Sequence, residues 1–132
     1  MLRTVCRDGD RLAYAEFGTG PRPAIVFIHG WGTYRSFLAA QQTSLASSRR
    51  TVAIDLRGHG ASAAPLRGCG VCNFAEDVVF LCETLGLEEV LLVGHGLGGA
   101  VALEVAAWRP GLVAGLAMID GFVCPRPDAA LR

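Results

Sequence analysis

Apolar and polar positions change rhythm several times along the chain, and each change marks a predicted element. Leu2–Cys6 and Arg11–Phe17, joined through Asp8-Gly9-Asp10, read as two antiparallel strands. Ala24–Ile28 is a short apolar run behind Pro21-Arg22-Pro23, which predicts a buried strand, and Thr51–Ile54 predicts another. Tyr34–Ser47 between them predicts a helix. The clearest helix is Asn73–Leu85. Phe74, Val78, Leu81, Cys82 and Leu85 fall on one face of a 3.6-residue period, Asn73 and Glu76 have the spacing of a capping box, and Gly86 fits the stop.

Val90–Val93 predicts the next strand, and Leu97–Trp108, apolar almost all round, predicts a helix buried against a sheet. Arg109-Pro110-Gly111 ends that helix, and Leu112–Ile119 predicts the last strand. Strands alternating with helices of this length imply right-handed crossovers, hence an α/β fold whose sheet is mostly parallel and flanked by helices.

Composition narrows this picture. The chain has 132 residues, 52% apolar and 18% charged, which suits one globular domain. Twelve Lys plus Arg balance twelve Asp plus Glu, so nothing argues for nucleic acid as a partner. Zero net charge with a mean hydropathy of +0.39 points to low solubility. The first eight residues lack the apolar core of a signal peptide. Val90–Ala107 is long and apolar, but His95, Glu104 and four glycines fit a strand plus buried helix better than a membrane span. Five cysteines without a secretory signal read as cytoplasmic thiols. In Cys69-Gly70-Val71-Cys72, no second pair follows at zinc-finger spacing, so incidental loop thiols are expected and no metal site.

Three short motifs sit at the C-terminal ends of three successive buried strands. They are His29-Gly30-Trp31-Gly32, Asp55-Leu56-Arg57-Gly58-His59-Gly60-Ala61-Ser62 and Gly94-His95-Gly96-Leu97-Gly98-Gly99. Each alone usually means a tight turn. Together and in this order they resemble the α/β-hydrolase superfamily, in its general esterase, epoxide-hydrolase and haloperoxidase-like branch. The resemblance runs from the N-terminal hairpin to the family's sixth strand. It implies the N-terminal part of that fold over residues 1–132, a mostly parallel sheet of about six strands, with no cofactor.

The resemblance also assigns places. The His29-Gly30-Trp31-Gly32 loop matches the oxyanion loop, so the Trp31 backbone N–H becomes one oxyanion donor and the Leu97 N–H the second. Gly96 stands at the nucleophile place of the G-x-S-x-G elbow, where the family carries serine. Glycine offers no nucleophile, and a neighbouring base cannot create one. Asp120, in Ile119-Asp120-Gly121, stands where some branches carry the triad acid, although a turn aspartate is the plainer reading. The three histidines, His29, His59 and His95, all lie inside the glycine motifs; His95 flanks the nucleophile place and packs beneath the elbow in the family.

Serine-hydrolase chemistry is therefore not expected of this sequence, whose relatives would hydrolyse small esters or epoxides. The family's histidine-bearing region, last strands and lid fall beyond Arg132. The competing reading is a non-catalytic ligand-binding or interaction module, with a small apolar molecule as its ligand; another is an enzyme completed by a second polypeptide that carries the histidine. A weaker rival is dinucleotide binding, since Gly94-x-Gly96-x-x-Gly99 satisfies G-x-G-x-x-G and Asp120 follows about 20 residues on. The uncharged strand Leu112–Ile119 would be an open edge, inviting self-association or a second chain.

Overall fold

A computed structural model describes residues 1–65 and 68–121. The two N-terminal strands are β1 (Leu2–Arg7) and β2 (Asp10–Phe17). They pair antiparallel around Asp8 and Gly9, both at positive φ, the backbone that a two-residue hairpin needs to match strand twist. Then follow β3 (Ala24–Ile28), α1 (Ala39–Leu45), β4 (Thr51–Ile54), α2 (Val71–Thr84), β5 (Val90–His95), α3 (Leu97–Trp108) and β6 (Val113–Ile119).

The sheet order is β1-β2-β4-β3-β5-β6. β2 meets β4 antiparallel, and β4, β3, β5 and β6 run parallel to their neighbours. Burial follows position in that order. β3 and β4 are buried along their whole length, as expected of central parallel strands covered on both faces, whereas β1 is mostly exposed. β6 has a partner on one side only among the described residues, and its Leu116 and Ile119 are exposed.

The helices divide unequally between the two faces. α2 and α3 pack side by side over one face, with Val26, Ile28, Val52, Ile54, Val90 and Leu92 beneath them. α1 covers the other face, where Ile25, Phe27, Leu38 and Ala53 form a small cluster. Cys82 lies inside the larger core, and burial pushes its thiol up to about 12.

Three local expectations need correction. The segment predicted as one helix, Tyr34–Ser47, opens as a 3-10 turn over Arg35–Leu38 before α1 begins. Asp55 holds Arg35 there by its backbone N–H at 2.7 Å and its guanidinium at 2.6 Å, which fixes a tight first turn. α2 is capped by Gly70, not Asn73. Asn73 occupies the third helical position and its Oδ1 accepts the Gly70 N–H at 3.0 Å, while Glu76 reaches Arg7 instead. Leu112 belongs to a 3-10 turn, Pro110–Leu112, ahead of β6.

Candidate functional site

In the parallel part of the sheet, the chain passes from β3 outward to β4, then returns across β3 to β5. The crevice outside the C-terminal ends of β3 and β5 is thus the switch point at which α/β sheets hold ligands. Two of the sequence motifs meet there: His29-Gly30-Trp31-Gly32 leaves β3, and Gly96-Leu97 joins β5 to α3.

Close approach dictates the glycines at this junction. A Cβ on Gly98 would collide with the carbonyl oxygen of Ile28, so only glycine lets the first turn of α3 lie against the end of β3. Gly96 has φ +55° and ψ −119°, backbone that L side chains adopt only under strain. Space is not the obstacle, since a Cβ there would lie 3.8 Å from Gly30 Cα. The Gly96 N–H donates to Ile119 O at 3.0 Å. In the dinucleotide reading that glycine must admit a pyrophosphate, yet its N–H is already used to join the turn to β6.

The histidines occupy three different settings. His29 is buried. Its Nδ1 lies 2.7 Å from Gly30 O, and its Nε2 accepts the Leu56 N–H at 3.0 Å. Because a carbonyl can only accept and a backbone N–H only donate, the ring is the neutral Nδ1–H tautomer. Burial pushes its pKa below the ordinary histidine value. His59 repeats the pattern: Nδ1 lies 3.0 Å from Arg57 O, and Nε2 accepts the Gly32 N–H at 3.1 Å. The two rings are 5.0 Å apart, and Trp31 stands edge-on to His59 at 5.4 Å. His95 packs under the turn with its ring 4.6 Å from Phe37; its Nδ1 is buried, without a hydrogen-bond partner among the described residues.

Beside the loop lies a cavity of about 470 Å³ whose walls include Trp31, Gly32, His59, Cys69 and Phe74. Trp31 is itself exposed. Leu97 opens α3 at the turn. Asp120 is brought close to the elbow through the Ile119–Gly96 hydrogen bond, but it is exposed and holds φ +49°, a left-handed state that aspartate tolerates in turns. Cys69 and Cys72 are not bridged, and Cys72 lies within α2 with its Sγ 3.5 Å from Glu104 Oε1. Among the described residues no cluster of His, Cys, Asp or Glu is placed to hold a metal ion, and no helix is long and apolar enough to cross a membrane.

Two buried carboxylates support the site from outside. Asp55 is fully buried and accepts from Arg35 and from the Ala61 N–H at 2.9 Å. Asp77, on the buried side of α2, is gripped by Arg57 at 2.6 and 2.7 Å and by Arg7 at 2.7 Å. Those bonds hold the Arg57 guanidinium above its ordinary pKa in spite of its partial burial. They tie β1, α2 and the loop after β4 together. The second cavity nearby, about 250 Å³ and lined by Arg7, Arg57, Glu76 and Asp77, is the mouth of this structural network. Sequence reasoning singled out the loop that carries Asp55 and Arg57 but missed Asp77. Its one signal is an acidic residue on the apolar stripe between Phe74 and Val78.

Comparison with known proteins agrees with the geometry. The sequence profile of the alpha/beta hydrolase fold matches residues 23–132. The chain is 36% identical over 111 residues to the dihydrolipoyllysine-residue acetyltransferase component of the acetoin cleaving system of Pseudomonas putida, covering 84% of this chain and 30% of that protein. It is 35% identical over 115 residues to a non-heme chloroperoxidase of Streptomyces lividans, covering 86% of this chain and 42% of that protein. The solved structure of E-2-(acetamidomethylene)succinate hydrolase superposes with a TM-score of 0.87 at 32% identity, covering 99% of this chain and 48% of that one. The chain thus spans between 30% and 48% of the length of these relatives. Strand order, the glycine-packed turn after β5, the loop after β3 and these matches together place the chain in the alpha/beta hydrolase fold family.

Proposed function

We propose that this chain presents the ligand crevice of a hydrolase to a small, largely apolar molecule and carries out no serine-type acyl transfer. The observation that carries this reading is Gly96 at φ +55° in the elbow, where the family's reaction needs a hydroxyl. The relatives support the ancestral chemistry. Similar proteins include an epoxide hydrolase of Caenorhabditis elegans and a thermophilic esterase, which supports a small ester, epoxide or similar compound as the ancestral substrate class. In this reading the backbone N–H groups of Trp31 and Leu97 are the donors offered to a substrate oxygen, and the cavity beside Trp31 takes the apolar part. Hydrogen-bond donors without a nucleophile can bind a carbonyl compound but cannot form an acyl-enzyme.

The ring nitrogens of the histidines support this reading. His29 and His59 use both ring nitrogens on backbone groups, and the Nδ1 of His95 is buried under Gly30. The purified chain is incubated with a short-chain alkyl ester and, separately, with a fluorophosphonate that labels activated serines. The expected result is an ester recovered intact and no label. Turnover of the ester by the chain as written would overturn the reading. Gly96→Ser sharpens the test: restoring the hydroxyl alone should leave the ester untouched, because His29 and His59 are committed to backbone groups.

A further inference from the structure

We propose that His29 and His59 form a reciprocal, proton-sensitive clasp that positions the Trp31–Gly32 loop over the crevice. Each ring belongs to one loop and satisfies a backbone N–H of the other. His29, at the end of β3, accepts from Leu56 in the loop after β4, and His59, in that loop, accepts from Gly32 in the loop after β3. Each Nδ1–H returns to its own loop, at Gly30 O and Arg57 O. These two crossed bonds persist only while both rings are neutral and both are Nδ1–H tautomers, whereas the Arg35–Asp55 pair holds the same loops whatever the state of the rings. Protonating either one sets a new N–H against a backbone N–H, which removes a bond and replaces it with repulsion. With the ring centroids 5.0 Å apart, a second proton is disfavoured by the first.

The surroundings decide which half yields. His29 is buried and faces Asp55, His59 and the Thr33 hydroxyl, with Asp55 already committed to Arg35. His59 is only partly buried and shares the cavity wall with Trp31, Arg57, Cys69 and Phe74. Arg57 is occupied by Asp77 and Gly68 O. From β5, His95 faces the same loop through Gly30, whose Cβ, were there one, would lie 3.0 Å from His95 Nδ1. His59 is thus the half of the clasp that solvent reaches, and the bond at stake is the one to Gly32, the chain neighbour of Trp31. His29 and His59 are positioning residues and take no part in bond making.

The clasp needs no ligand and no turnover, so it stands or falls apart from the binding role proposed above. Nitrogen NMR of the unmutated chain should show both rings as Nδ1–H tautomers at neutral pH. The Gly32 amide should then shift on acidification with the midpoint of the His59 ring. Trp31 emission, isolated by Trp108→Phe, should follow the same curve. His59→Gln keeps an acceptor for Gly32 but cannot titrate, and should flatten both responses while the fold persists. His95→Gln should leave them in place. An Nε2–H tautomer in either ring overturns the clasp, as does a Gly32 amide that ignores His59. A Trp31 transition that survives His59→Gln, or disappears with His95→Gln, overturns it equally.

Discussion

The two faces of the sheet are built from the same strands yet are closed in opposite ways. Over one face, two full helices press Phe74, Val78, Leu81, Val101 and Val105 onto the inward residues of β3, β4 and β5. Over the other, among the described residues, the short α1 and its 3-10 lead-in cover Ile25, Phe27 and Ala53, while Leu91 and Val93 are left half-buried and Phe37 exposed. Neighbours along one strand, Phe27 and Ile28, therefore belong to cores of very different size. The contrast teaches where the fold's stability resides: apolar area removed from water, at about 25 cal/mol per Å², accumulates on the α2–α3 face. The smaller face has a different task. It carries Arg35 and Phe37, which fasten the loops around the crevice to Asp55 and His95.

The sharpest way to break this comparison is one chemical change made on each face. Leu81→Ala, in the larger core, should cost about 4 kcal/mol, read as a fall in the denaturant midpoint. Leu38→Ala, in the smaller cluster, should cost about 2 kcal/mol, because the site borders solvent and can collapse. Equal losses would mean that the faces share the load. Between them falls Asp77→Asn, at about 3 kcal/mol, since it strands two guanidiniums that the carboxylate now holds at 2.6–2.7 Å. That loss should be recovered only in part by adding Arg7→Met, because Arg57 remains without its partner. Full recovery would show that Arg7 alone made Asp77 necessary.

Much of this was readable in the sequence. The central strands announced themselves as continuous apolar runs, because burial on both faces removes the need for alternation, and Ala24–Ile28 and Thr51–Ile54 have the predicted bounds. Leu97–Trp108 also matches, since Gly96 and Pro110 leave the helix little freedom at either end. What the sequence could not convey was pairing between distant polar groups. Asp77 and Arg7 are 70 positions apart, and the Arg35 N–H finds Asp55 only after β4 has been laid beside β3. For that reason the helix beginning at Tyr34 was drawn too long and the cap of α2 set three residues late. The same limit hid the crossed histidines: each motif shows one His beside glycines, and only the fold reveals that each serves the other's loop.

The elbow lies between the two faces and belongs to neither, so it probes the crevice without draining either core. Gly96→Ser should destabilise the chain by about 1 kcal/mol, because a side chain at φ +55° is strained although the space beside Gly30 admits it. The measurement is the denaturation midpoint against the unmutated chain. A midpoint that rises would mean that the turn relaxes around a serine, and that glycine confers no advantage there.

The smallest effect should come from His29, and its sign follows from burial. Folding lowers the pKa of this ring below its ordinary 6.5, so the folded chain resists a proton that the unfolded chain accepts. Stability from this group is complete above that value, begins to fall as the pH drops past it, and goes on falling until the folded ring itself titrates. The loss stays small because opening of the clasp lets solvent reach the ring without unfolding the sheet beneath. Denaturant midpoints measured from pH 8 downward should therefore hold level and then decline through the histidine range. A midpoint that rises over that interval would mean that Asp55, rather than burial, governs the ring.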